Sequence, residues 1–242
     1  MAQFDALGDI YDDFAQTAFR RHLELPSIVR ALGDVTGLHA LDLGCGTGPH
    51  SRTLARLGAE GVVGADVAEG MLEHARQAER EHPLGVRYER APLTDGFAGR
   101  FDLVLSVYVM PYAADRDQLD TLCAQAFAAL KPGGRLVALP ANPDLSTVPG
   151  YYRPYGFDLA VPEPLADGSR ITLLMGEEQI AARYWTRDAL DQALTRAGFT
   201  AVRGLGHHVS PEGEREFGPG FWRDYLDRPH ALILEARRPA QG

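Results

Sequence analysis

The sequence predicts an α/β fold: an open, mostly parallel sheet with helices on both faces. Three observations carry this. Five short strand-like segments alternate with helical patterns between residues 39 and 139, the alternation that parallel sheets with crossover helices produce. Phe101–Ser106 is apolar enough to be buried on both faces, as central parallel strands require. Pro49 opens and Gly58 closes the first intervening helix, the expected punctuation of a helix that follows a strand.

Residues 1–38 read as a helical cover. Phe4, Leu7, Tyr11, Phe14 and Phe19 recur near helical spacing with acidic residues between them, and Pro26 divides the segment into two helices. His39–Leu43 is the first strand, and the turn 44–48 leads from it into the helix at Pro49. Gly61–Asp66 is the second strand, followed by a helix carrying Met71, Leu72, Ala75 and Ala78. Val86–Glu89 and Phe101–Ser106 are the third and fourth strands. Asp115-Arg-Asp-Gln118 resembles a capping box and opens a helix carrying Leu119, Leu122, Phe127 and Leu130. Lys131–Gly134 ends that helix, and Arg135–Leu139 is the fifth strand.

The alternation then breaks. Residues 141–185 are rich in Pro, Gly and Tyr and hold a hairpin, Ile171–Met175 against Gln179–Trp185, which reads as a lid inserted after the fifth strand. Thr186 caps a further helix that Gly198 ends; Phe199–Gly206 is a strand, Pro211–Asp227 is mostly helical and Ala231–Arg237 is the last strand. The chain, 1–242, forms one domain: cover 1–38, core 39–140, lid 141–185 and C-terminal part 186–242.

At 242 residues and 45% hydrophobic content the chain has enough apolar material for one sizeable core. Its formal charge of −9 lacks the basic footprint of a nucleic-acid binder. The two cysteines, Cys45 and Cys123, lie far apart and outside any metal-ligand spacing, so neither a disulfide nor a metal site is expected. The N-terminal stretch is acidic, without an apolar signal core, and no run approaches a membrane span. These features point to a cytoplasmic protein, monomer or homodimer, whose partner is a small molecule.

The chemistry concentrates at Leu41-Asp-Leu-Gly-Cys-Gly-Thr-Gly48. A strand must turn sharply into a helix here while a ligand approaches the backbone, and glycine permits both. The dinucleotide fingerprint places a third glycine at position 49, but Pro49 stands there and the spacing is G-x-G-x-G. Asp66 ends the next strand, where a carboxylate can accept hydrogen bonds from both ribose hydroxyls. Turn, helix and acid together point to a nucleoside cofactor.

At these residues the chain resembles the class I S-adenosylmethionine (SAM) dependent methyltransferases. Leu41–Gly48 is similar to the first motif of that family and Val62–Met71 to its second, while Phe101–Ser106 and Leu130–Leu136 fit the later motifs in order. The resemblance covers roughly 39–140, with weaker matches at 186–205 and 229–237. It implies a Rossmann-like seven-stranded sheet with an antiparallel last strand, and SAM as cofactor. It further implies that Asp42, Gly44 and Gly46 meet the methionine end of SAM, Asp66 its ribose, and Val67 and Met71 its adenine. Where the family often has an adenine-binding Asp after the third strand, this chain has Arg90 and Ala91. Cys45 and Ser106 complete the expected cofactor set, and Tyr11 folds over SAM or packs its helix onto the core. Phe4–Asp12, Val209–Gly213 and Gly220–Asp227 resemble small-molecule methyltransferases of bacterial specialised metabolism, the toxoflavin-pathway N-methyltransferase among them.

On the acceptor side, Tyr108 and Tyr112 follow the fourth strand, and Ser106-Val-Tyr-Val lacks the Asn-Pro-Pro-Tyr type signature of DNA and protein-amide methyltransferases. Tyr112, Asn142, Tyr152 and Tyr155 are candidate acceptor contacts; the lid tyrosines also suit a satellite core, and Asn142 a turn. His207, His208 and Tyr108 are the candidate catalytic groups, the histidines as bases that are largely neutral near pH 7. The remaining histidines read as surface or packing residues. These features predict methyl transfer to N or O of a small aromatic or heterocyclic metabolite. A cyclase or lyase acting on SAM itself uses the same cofactor residues, and a non-catalytic SAM-fold subunit is the third reading.

Overall fold

The computed structural model describes residues 17–92 and 95–240. Among the described residues ten strands follow one another: β1 (His39–Leu43), β2 (Glu60–Asp66), β3 (Arg87–Arg90), β4 (Phe101–Val107), β5 (Leu130–Leu139), β6 (Asp158–Ala160), β7 (Arg170–Met175), β8 (Glu178–Arg183), β9 (Thr200–Leu205) and β10 (Ile233–Arg237). Seven form one sheet in the order β3-β2-β1-β4-β5-β10-β9. β10 runs antiparallel to both β5 and β9, and the other neighbours pair in parallel. Strand order reverses between β1 and β4, so the carboxyl ends of these strands open a crevice for a ligand.

The helices are α1 (Leu25–Leu32), α2 (Pro49–Arg56), α3 (Glu69–Glu81), α4 (Arg116–Ala129), α5 (Arg187–Ala197), α6 (Pro211–Phe217) and α7 (Pro219–Asp227). Asp115, Thr186 and Ser210 cap α4, α5 and α6 by accepting the N–H of Gln118, Ala189 and Gly213, which satisfies amides that a helix start leaves open. Val104 packs with Leu41, Leu136 and Leu190 on one face of the sheet, and Leu103 and Leu105 with Leu54, Leu72 and Val137 on the other. Burial on both faces explains the unbroken apolar run of β4.

Two boundaries differ from expectation. Lys131–Gly134 does not end a helix: α4 stops at Ala129, and β5 begins at Leu130 with a register break before Arg135. The Gly133 amide there bonds the Arg238 carbonyl, so the Pro-Gly-Gly run serves a bulge in the sheet. Pro26 also does not divide two helices. A π-helical turn, Arg20–Glu24, runs directly into α1. An N–H at position 26 would have bonded the His22 carbonyl in an α-helix, and that carbonyl instead accepts the Ser210 amide at 2.7 Å. His22 Nδ1 lies 3.0 Å from Ser210 Oγ, so the N-terminal helix is pinned to the start of α6 at two points.

The lid is a three-stranded antiparallel sheet, β6-β7-β8. β6 was not expected, and Trp185 leaves the hairpin to join the main core, where its Nε1 donates to the Met110 carbonyl. Among the described residues no helix is long and apolar enough to cross a membrane.

Candidate active site

The loop after β1 is tied to the end of β2. The amides of Gly44 and Cys45 both donate to the Ala65 carbonyl. Asp66 accepts the Gly46 amide on one oxygen at 2.8 Å and the Ala68 amide on the other at 2.9 Å. The carboxylate is thereby held in place, and each oxygen keeps a further lone pair for a ligand. A Cβ at Gly44 would meet Val109 Cγ2 at 2.2 Å, so glycine lets the loop after β4 close onto the loop after β1. At Gly46 nothing lies within 4 Å of that position, and its backbone is bare toward the crevice.

A cavity of about 810 Å³ occupies this crevice, a size suited to a cofactor with a second small molecule. Gly44, Cys45, Gly46, Asp66, Val67, Met71 and Ala91 line it. Cys45 presents a neutral thiol, since burial raises its pKa well above the usual value. Asp42 lies buried beneath the loop and does not line the cavity; Ser51 donates to one of its oxygens at 2.6 Å and the other has no partner. Ser106 is buried within β4 and Arg90 is exposed at the end of β3, and neither lines the cavity. Tyr11 lies outside the described residues.

A smaller cavity of about 70 Å³ adjoins the first. Arg20, Glu24, Tyr108, Pro111, Tyr112 and Ala182 belong to the walls of both. Phe157, Leu159, Ile171, Leu173 and Met175 make the rest of the small one mostly apolar, and His230 closes it. Tyr108 adopts a left-handed backbone, φ +57°, which non-glycine residues seldom do outside functional or tight positions. Its hydroxyl donates to Glu24, whose other oxygen accepts from Arg20. Burial opposes ionisation of Glu24, but Arg20, His50 and the Tyr108 hydroxyl outweigh it and hold its pKa below the ordinary value. His50 lines the larger cavity, and burial with the nearby Arg20 lowers its pKa to about 4. Burial lowers that of His230 to about 3, so both rings are neutral at pH 7. Tyr225 Oη lies 2.8 Å from His230 Nδ1 and has no other side-chain acceptor among the described residues.

Other expected acceptor and catalytic residues lie elsewhere. His207 Nε2 bonds the Ala231 carbonyl, the His208 amide donates to Ser27 Oγ, and Arg30 reaches the His208 ring. Both histidines are engaged in packing around β10 and α1, and neither lines a cavity. Asn142 shapes a turn, donating to the Pro229 carbonyl and accepting the Asp144 amide. Tyr152 and Tyr155 are buried and pin the lid to the C-terminal segment through the carbonyls of Arg228 and Phe221. Among the described residues no cluster of His, Cys, Asp or Glu is arranged to hold a metal.

Sequence reasoning missed Glu24, His50 and His230. Glu24 sits in the N-terminal helical segment, where only the apolar residues stood out in the sequence. His50 follows Pro49 at the start of α2 and lines the larger cavity, but a single histidine there carried no signal in the sequence. His230 precedes the one antiparallel strand, whose start lies at the same edge as the ends of the parallel strands.

Residues 40–134 match the methyltransferase domain family. Over 108 residues the chain is 40% identical to a ubiquinone biosynthesis O-methyltransferase of Cereibacter sphaeroides, covering 44% of this chain and 42% of that protein. Over 144 residues it is 31% identical to the Acinetobacter baylyi protein so named, covering 56% and 59%. The chain thus matches 42 to 59% of the length of these two relatives. A SAM-dependent methyltransferase structure from Mesorhizobium loti superposes with a TM-score of 0.63 at 27% identity, covering 93% of this chain and all of that one. Residues 40–134 thus carry a methyltransferase domain, on a fold shared with SAM-dependent methyltransferase structures. The residues present fit SAM: Gly46, with open space where a side chain would stand, and the fixed Asp66 carboxylate both line the cavity, with Asp42 buried beneath their loop.

Proposed function

We propose that the protein transfers a methyl group from SAM to an oxygen or nitrogen of a small aromatic or heterocyclic metabolite. One observation carries this reading: a cofactor-sized cavity adjoins a small, mostly apolar one, and a buried carboxylate, Glu24, stands in their shared wall. Gly44, Gly46 and Asp66 hold the cofactor, with Val67, Met71 and Ala91 beside its base. SAM supplies a methyl group already activated on a sulfonium, with its own leaving group. The protein aligns the acceptor, excludes water and takes a proton. Tyr112, Phe157 and the lid residues Ile171 and Leu173 offer flat and branched apolar surface to a ring. Glu24, ionised in the neutral range, takes the proton that the acceptor loses, and Tyr108 positions that carboxylate. The name of the C. sphaeroides relative, an O-methyltransferase, favours oxygen as the accepting atom.

The test is product analysis. The protein is incubated with methyl-labelled SAM and a panel of catechols, phenols and N-heterocycles. Label in an acceptor with matching S-adenosylhomocysteine (SAH) supports the reading. Methylthioadenosine without label transfer overturns it in favour of chemistry on SAM itself.

A further inference from the structure

The lid strands β7 and β8 place Arg170 directly opposite Arg183 in antiparallel register. Like charges in that arrangement repel. No carboxylate among the described residues lies within 4.0 Å of either guanidinium, whereas Arg116, Arg187 and Arg196 of α4 and α5 all have acidic partners. The nearest acid in sequence, Asp167, is occupied by Arg116 and the Thr186 amide. Arg183 is further held by its bond to the Gly168 carbonyl at 2.9 Å. Both arginines line the larger cavity. The wall supplied by α4 across it offers Gln118, Thr121 and Gln125, which are neutral.

The charge of the cavity as a whole runs the same way. Among the described residues four arginines line it, Arg20, Arg21, Arg170 and Arg183, against two carboxylates, Glu24 and Asp66. Arg20 already pairs with Glu24. In a chain of formal charge −9, a cationic cavity wall is opposite to the general trend of the surface. Two guanidinium groups side by side suit one carboxylate or phosphate, whose oxygens accept charge-assisted bonds from both.

We propose that Arg170 and Arg183 form an anion-binding site on the lid, and that the methyl acceptor is an aromatic acid carrying a carboxylate or phosphate group. This rests on the methyltransferase reading above. It adds that one end of the acceptor is gripped by the lid hairpin while its reacting atom lies near Glu24 and His230. Ala182, next to Arg183 on β8, lines both cavities, which places the arginine pair beside the opening between them.

The test uses the full chain saturated with SAH and titrated calorimetrically with 3,4-dihydroxybenzoate, 3,4-dihydroxybenzamide and phenyl phosphate. At least one of the two anions is expected to bind about tenfold or more tightly than the neutral amide, as one strong charge-assisted contact predicts. The double variant Arg170→Gln/Arg183→Gln should lose that preference with its SAH affinity kept within about twofold of wild type. Arg170→Lys should retain part of it. Which anion wins separates a carboxylate from a phosphate ligand. Anions that bind no better than the amide, including the case where none of the three binds, overturn the proposal, as does a preference that survives in the double variant. Failure of wild type to bind SAH strikes the cofactor reading instead, and is seen before any acceptor is added.

Discussion

Asp42 stands near the end of β1 with one oxygen bonded to Ser51 and the other without a partner. Burial raises its pKa to about 7 and the nearby Asp66 adds to the rise, against the opposing bond from Ser51. The folded protein therefore binds a proton at Asp42 that the unfolded chain, with an ordinary pKa near 3.8, releases earlier. Its stabilising contribution is full below about pH 4, falls as pH rises and is lost above about 7. Asp42→Asn resembles the protonated side chain at every pH. The stability of wild type relative to this variant, from urea unfolding of the ligand-free protein, should fall by on the order of 3 kcal/mol between pH 4 and pH 8. A difference that stays flat with pH would show that Asp42 ionises in the fold as it does in the unfolded chain. Tyr108 shows a second kind of local tension. Its left-handed backbone places the phenol against Glu24, an unfavourable conformation retained where the surrounding structure fixes it.

The lid is held down by hydroxyls. Tyr151, Tyr152 and Tyr155 donate to the carbonyls of Asp224, Arg228 and Phe221, all in α7 or just beyond it. Tyr152 also accepts the Ser146 amide at 2.8 Å and is fully buried. Tyr152→Phe leaves that amide without its partner, and should lower stability by about 1–3 kcal/mol with SAH affinity unchanged. If the variant instead keeps its stability and loses acceptor affinity, Tyr152 is an acceptor contact and not a pin. This element also shows how far the sequence could be read. The five strands of the core and their order of appearance were legible because four of them carry apolar runs and all alternate with turn and helix signals, although β3, Arg-Tyr-Glu-Arg, is mostly polar. So was the ligand edge, because the glycine turn and Asp66 stand at consecutive strand ends. The lid was legible only as an interruption. β6 is three residues long, too short for any alternation to show, and the tyrosines looked equally suited to a ligand or to packing. His207 and His208 misled because a paired histidine at a strand end carries no sign of which end meets the crevice. That depends on α1, whose Ser27 and Arg30 engage His208.

At the scale of the whole molecule, the candidate chemistry is assembled from parts distant in sequence. Glu24 comes from the N-terminal helix, Tyr108 from the loop after β4 and His230 from the turn before β10. The contact between Tyr108 and Glu24 closes 84 residues of chain. The helix bearing Glu24 is positioned by Ser210 from the C-terminal segment, through the carbonyl that Pro26 leaves free. The carboxylate is buried and ionised beside Arg20, and a buried charge is tolerated only with such partners. As the proton acceptor of the proposed reaction it should be in its active form throughout the neutral range. Because its pKa is held below the ordinary value, activity should fall only in acid below the usual carboxylate range. Glu24→Gln keeps the size and most of the hydrogen bonding but cannot take the proton, so turnover should fall by about 100-fold and that acidic limb should vanish. Tyr108→Phe removes the same hydrogen bond and leaves the carboxylate, so it should slow the reaction less, by about tenfold, and keep the limb. The measurement is a pH–rate profile of both variants beside wild type. If Glu24→Gln turns over like wild type with its acidic limb intact, the carboxylate serves only to anchor the N-terminal helix. The proton acceptor would then lie with His50, the other titratable group lining the larger cavity beside Arg20.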